Sequence, residues 1–217
     1  MSRGRPWREA RFLVVDLETT GFSPRKGAEI VSFAAIPVEG GRVRVGGSIT
    51  GLVRPRRAPV AETVRIHGLR PIDLAAAEPA RQALAPLLDA LRGRVPVAHA
   101  AWFDAAFVRE HEPWWRRPRR PRFLRRPWVD TAALGRLLAV LAGEDDPKPL
   151  NLPRLAERLG IPSGARHDAL GDALTTAQAF VALATLLDRI TPQTVGSLLE
   201  ARQRLAALAP TEPAENA

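Results

Sequence analysis

The order of elements predicts an α/β domain built on a mixed central sheet with antiparallel N-terminal strands, flanked by helices. Residues 11–53 read as successive strands joined by tight turns. From residue 79 onward, helical periodicity alternates with short apolar strands. The 217 residues, 46% hydrophobic and 25% charged, suit one domain plus appendages with enough apolar material for a real core.

Arg11–Thr20 (RFLVVDLETT) is a buried strand running out into a polar turn at Thr19-Thr20-Gly21, and Glu29–Val38 is a second strand. A turn at Gly40-Gly41 leads to a third strand around Arg42–Ser48, which Ile49–Val53 extends or follows as a short fourth. After a Pro/Arg loop, Pro79–Leu91 has Ala83, Leu84, Leu87, Leu88 and Leu91 at helical spacing. Val95–His99 is a short strand that feeds a helix over Trp102–Glu110. Asp130–Leu141, Leu152–Leu159 (closed by Gly160) and Asp168–Leu187 are further helices. Thr194–Leu208 is a last amphipathic helix, and the polar tail after it is expected to be disordered.

Composition excludes several chemistries. With no cysteine there are no disulfides, thiolate metal sites or cysteine nucleophiles, and with no tyrosine no phenol takes part. The N-terminus has only a short apolar run before Asp16, and no stretch reaches about 20 uninterrupted apolar residues. The expectation is a cytoplasmic protein with no membrane partner. The net charge is +9, and seven of those charges are arginines between Pro113 and Trp128, a segment without an acid. Such a local patch is the form expected of a contact with nucleic acid or another polyanion. There Trp114, Trp115, Arg116, Arg117, Arg119 and Arg120 are candidates for a nucleic-acid clamp, because guanidinium groups bind phosphates and indoles stack on bases. A solvated loop with its tryptophans folded back, or a dock for an acidic protein, would carry the same residues.

Three acidic segments stand out. Asp16 and Glu18 lie two apart near the end of an apolar strand, so both point to one face of the sheet. Two carboxylates there repel each other and resist desolvation, and hard divalent cations such as Mg²⁺ or Mn²⁺ would offset both effects. His99-Ala100-Ala101-Trp102-Phe103-Asp104 puts a carboxylate in the first turn of a helix, where the helix dipole favours it. His167-Asp168-Ala169-Leu170-Gly171-Asp172 puts Asp168 at a helix cap, Asp172 one turn in, and His167 before the helix.

Taken together, VVDLETTGF (Val14–Phe22), HAAWFDAAFV (His99–Val108) and HDALGDA (His167–Ala173) resemble the three motifs of the DEDDh branch of the DEDD exonuclease superfamily, of which the epsilon proofreading subunit of bacterial DNA polymerase III is typical. IHGL (Ile66–Leu69) and VDT (Val129–Thr131) resemble two further family segments. The resemblance implies a ribonuclease H-like fold, with a basic extension over 1–10, an exonuclease domain over 11–190 interrupted by the 113–128 insert, and a C-terminal helix and tail over 191–217. It implies that Asp16, Glu18, Asp104 and Asp172 hold two divalent cations, Mg²⁺ or Mn²⁺, with Asp16 shared between them. His167 is then the general base.

The reaction implied is 3′–5′ hydrolysis of single-stranded or frayed DNA to nucleoside 5′-monophosphates, in proofreading or repair, with a DNA polymerase subunit as a partner. Thr19, Thr20, His67, His99, Trp102 and Phe103 would meet the terminal nucleotide, although Trp102 and Phe103 also suit the core. RNA 3′-end trimming of the ribonuclease T or oligoribonuclease kind uses the same chemistry. A non-catalytic nucleic-acid-binding subunit is a third reading, distinguished by an absence of stabilisation by divalent cations. The family commonly has Asn after the second-motif histidine; this chain has Ala100, read as the loss of a supporting hydrogen bond.

Overall fold

The computed structural model describes residues 2–110, 127–162 and 167–208. The clamp candidates Trp114, Trp115, Arg116, Arg117, Arg119 and Arg120 lie outside the described residues.

Among the described residues, six strands form one sheet. The first, β1 (Arg11–Thr19), is central: it pairs antiparallel with β2 (Ile30–Glu39) and parallel with β5 (Val95–Ala98). Beyond β5 lies β6 (Val129–Asp130), also parallel. On the other side, β2 pairs antiparallel with both β3 (Arg42–Val43) and β4 (Ile49–Leu52). Strands covered on both faces are apolar throughout, which is why β1 and β2 read as nearly unbroken hydrophobic runs.

Alternation along β1 divides two cores. Leu13, Val15 and Leu17 face one layer with Leu84, Leu87 and Phe107, while Phe12 and Val14 face the other with Phe180, Leu183 and Leu187. After α1 (Ala61–His67) and α2 (Pro71–Leu74), the helices of the first layer are α3 (Ala80–Ala83), α4 (Ala85–Ala90) and α5 (Trp102–Glu110). The second comprises α6 (Thr131–Leu141), α7 (Leu152–Arg158), α8 (Ala169–Ile190), α9 (Val195–Leu199) and α10 (Ala201–Leu208).

Helix α8 is long and apolar enough by composition to cross a membrane, but half of it is buried inside this fold. Its stripe Ala169, Ala173, Ala177, Phe180, Ala184 and Leu187 lies in the core, and the alanines let the helix sit close to the sheet.

Several elements differ from the sequence expectation. The strand expected over 42–48 stops at Val43, and a 3-10 turn over Val45–Gly47 follows, because Gly46 and Gly47 bring no side chain to a strand surface. The helix expected over 79–91 is two, since Pro86 has no N–H to continue the ladder of α3 into α4. The helix 194–208 is broken at Glu200 into α9 and α10. Helices α1 and α2 have no strong periodicity; Gly68, at φ +74°, ends the first, and Pro71 starts the second.

The flanks are packed into the body. Trp7, 1% exposed, meets Phe180 edge-on at 6.0 Å, and the Trp7 N–H donates to the Gln193 carbonyl at 3.2 Å. Val195 and Gly196 in turn donate to the Arg5 and Arg3 carbonyls. Val195, Leu198 and Ala201 complete the same core.

Candidate active site

Three element ends converge at the carboxyl end of β1. The alternation that sends Phe12 and Val14 towards α8 also sends Asp16 and Glu18 to that face. Asp104 lies in the first turn of α5 and is 4% exposed; the Leu17 backbone is among its hydrogen-bond partners. Asp168 caps α8 by accepting the Gly171 N–H at 3.1 Å, and this sets Asp172 in the first turn. Asp172 Oδ2 accepts the His167 backbone N–H at 3.1 Å, which anchors the histidine beside the acids. Ligand atoms of Glu18, His167 and Asp172 come within 4.8 Å of one another.

These groups line one cavity of about 300 Å³ with Asp16, Glu18, Thr19, His67, His99, Phe103, Asp104, His167 and Asp172 in its wall. His67 Nδ1 accepts the Leu69 N–H at 3.1 Å, and His99 Nδ1 lies 3.0 Å from Thr131 Oγ1. Burial pushes both imidazoles below their ordinary range.

Two sequence candidates lie elsewhere. Thr20 closes the β1–β2 turn: its N–H donates to the Glu29 carbonyl at 2.8 Å and its Oγ1 accepts the Glu29 N–H at 2.9 Å. Trp102, 61% exposed, lines a separate cleft of about 460 Å³ between α6 and α10. Among the described residues lining that cleft the one acid is Asp130, bound by Arg202 at 2.6 Å. Conversely, Gly21, Phe22, Thr63 and Ile66 line the carboxylate cavity without having been singled out by sequence. The signal for Phe22 and Ile66 was their place inside the motif segments VVDLETTGF and IHGL.

The electrostatics are unfavourable to anionic carboxylates alone. Burial, then repulsion from Asp104, Glu18, Asp172 and Asp168, holds the Asp16 carboxyl well above the usual range. Burial and the Asp172 and Asp104 charges push Glu18 up to about 8, and burial pushes Asp104 up to about 8 against its backbone hydrogen bonds. Among the described residues, none of Asp16, Glu18 and Asp104 is ion-paired with arginine or lysine. An all-oxygen set of hard acids on rigid element ends fits divalent metal ions.

The turn that follows His99 strains Ala100. It sits at φ +54°, in the left-handed region, held by its N–H donating to Asp130 Oδ1 at 3.1 Å. A left-handed Ala costs about 1–2 kcal/mol, whereas Asn tolerates the conformation. The family's usual Asn therefore has a backbone reason as well as a hydrogen-bonding one. Ala100→Asn should raise stability by about 1 kcal/mol, read as a higher Tm. An unchanged or lowered Tm would mean that the asparagine side chain meets a steric cost larger than the strain it relieves.

Comparison with known proteins agrees with this geometry. The profile of the RNase_T exonuclease family matches residues 13–180. A DNA polymerase III subunit epsilon-like protein of Rhodobacter capsulatus is 35% identical over 196 residues, 89% of this chain but 26% of that protein. The chain thus spans about a quarter of that relative's length. The DNA polymerase III subunit epsilon of Aquifex aeolicus is 28% identical, with 80% of each chain covered. In fold, the nuclease domain of 3′hExo, a DEDDh family member bound to rAMP, superposes with a TM-score of 0.64 at 16% identity, covering 88% of this chain and 98% of that one. With its motifs gathered on a ribonuclease H-like fold and the family profile spanning 13–180, the chain belongs to the RNase_T exonuclease family.

Proposed function

We propose that the chain is a divalent-metal-dependent 3′–5′ exonuclease that removes nucleoside 5′-monophosphates from single-stranded or frayed DNA. The observation that carries this reading is the meeting of Asp16, Glu18, Asp104 and Asp172 with His167 in one cavity, where burial and mutual repulsion push carboxyl groups up. The four carboxylates would hold two cations, Mg²⁺ or Mn²⁺. Bound there, such ions would supply charge stabilisation for the phosphodiester and its departing oxygen, and make water more acidic.

The chain's own groups do the rest. His167 accepts a proton from the attacking water as the water oxygen bonds to phosphorus. The bond from phosphorus to the 3′-oxygen breaks and that oxygen takes a proton from solvent water, leaving a 3′-hydroxyl on the shortened strand and the phosphate on the released nucleoside. Thr19 and His67 line the wall with polar groups, while Phe22, Ile66 and Phe103 offer apolar surface to a terminal base. We assign the catalytic unit to 11–190. The epsilon names of the relatives support DNA as substrate, a polymerase subunit as partner, a role in replication or repair, and a cytoplasmic location.

The test incubates the full chain with 5′-labelled and 3′-labelled DNA and RNA oligonucleotides in Mg²⁺, Mn²⁺ or EDTA. The expected result is stepwise shortening of DNA from the 3′ end, immediate release of a 3′ label as mononucleotide, and no reaction in EDTA. Preferential shortening of RNA would replace DNA as the substrate. An inert protein whose Tm ignores both cations would overturn the catalytic reading in favour of a binding subunit.

A further inference from the structure

Beside the acidic cavity lies a cluster of cations that the reaction does not use. The chain leaves the cavity wall at Phe22, 71% exposed, and passes at once into a 3-10 turn, Pro24–Lys26, bearing Arg25 and Lys26. The loop after β4 brings Arg56 and Arg57 alongside, then runs into α1, which supplies Thr63, Ile66 and His67 to the same cavity. The cluster therefore borders the cavity through both neighbouring chain segments.

A buried carboxylate fixes the two loops together. Glu29, 6% exposed, accepts the backbone N–H groups of Arg56 and Arg57 at 2.9 and 3.3 Å through Oε2, and Arg56 Nε at 2.8 Å through Oε1. Glu29 and Arg56 are thus spent on each other. Arg57 instead extends over Gly27, its Nη1 3.7 Å from where a Cβ on that glycine would stand. That places its guanidinium over the end of the turn that bears Lys26 and Arg25. All three are exposed, and among the described residues none has an acidic side chain within ion-pair distance. Like charges held together without neutralisation set up a positive field beside a negative cavity.

A cavity of about 300 Å³ has room for the end of a strand and not its length, so the rest of a polynucleotide must cross the rim. We propose that Arg25, Lys26 and Arg57 are a phosphate-binding rim that holds the polynucleotide beyond the nucleotides in the cavity, with Glu29 as the strut that presents it. The proposal rests on the exonuclease reading of that cavity and extends it to a preference for longer strands over minimal substrates. Neutralising three phosphate contacts to a single strand should flatten the dependence of log affinity on log salt by about 2.

The test compares the full chain with Arg25→Gln/Lys26→Gln/Arg57→Gln, and with Arg25→Gln/Lys26→Gln as a milder variant. Binding of a fluorescent 20-nucleotide dT strand is measured in EDTA across a salt series, and hydrolysis of the p-nitrophenyl ester of thymidine 5′-monophosphate is measured in Mn²⁺. Expected are a loss of affinity of about tenfold or more, a salt slope lower by about 2 for the triple variant and by a smaller amount for the double, and ester hydrolysis within twofold of the parent. An unchanged affinity and slope would overturn the rim, as would an equal loss on strand and ester, which would place the effect inside the cavity. If the parent binds strands through these residues yet hydrolyses nothing, the rim stands and the exonuclease reading falls.

Discussion

Asp104→Asn is expected to stabilise the metal-free protein at pH 8 while abolishing cation-dependent hydrolysis. The Asp104 carboxyl is buried and pushed up to about 8, against an ordinary value near 4 in the unfolded chain. A group whose folded pKa is raised contributes stability that is fully present below the unfolded pKa and lost as pH rises through the folded one. Metal-free wild type should therefore weaken between about pH 4 and pH 8. Asparagine keeps the shape and an acceptor oxygen for the backbone hydrogen bonds but bears no charge. Its advantage should grow from nearly nothing at pH 4 to at least about 2 kcal/mol at pH 8, since each pKa unit corresponds to about 1.4 kcal/mol. Melting in EDTA at pH 5 and pH 8 measures this, and an equal difference at both pH values would sink it. Mn²⁺ should reverse the order, raising the Tm of the wild type well above that of the variant.

Such an inversion exposes why the site was legible in the sequence. Charged side chains on a buried strand are costly, so Asp16 and Glu18 stood out against LVV and L as residues that packing alone would not choose. Their common face followed from the period of a strand, and the positions of Asp104 and Asp172 from the helix starts around them. What sequence could not supply was the direction of individual aromatic side chains. Trp102 and Phe103 are adjacent on α5, yet one faces a cleft beside Arg202 and the other the acids. Thr19 and Thr20 divide likewise, because the register shifts at Glu18/Thr19 and the second threonine turns to Glu29. Short elements were also hidden: β6 is two residues long, and its Asp130 is at once strand end, cap of α6 and partner of Ala100 and Arg202. The cation rim was invisible for a different reason. Arg57 and Lys26 are far apart in the chain, and the pairing of β2 with β4 and the buried Glu29 bring their loops together.

Removing the His167 imidazole should reduce turnover by about a hundred- to ten-thousand-fold, the range expected for the loss of a general base. Binding of a single strand should stay within twofold of the parent. The link to Asp172 runs through the backbone N–H of His167, so truncating the side chain leaves that anchor in place. Residue 167 has φ +59°, a conformation that Ala bears less well than Asn. His167→Asn is therefore the cleaner companion to His167→Ala: it fits the turn but cannot take up a proton from water. If strain alone caused the loss, the asparagine variant would recover turnover and the base assignment would fail. A second measurement separates the base from a metal ligand, because His167 also lies within reach of Glu18 and Asp172. A base can be removed while the four carboxylates still take up cations, so both variants should keep the rise in Tm that Mn²⁺ gives the wild type. Loss of that rise together with turnover would instead make His167 a ligand, and the proton from the attacking water would need another acceptor.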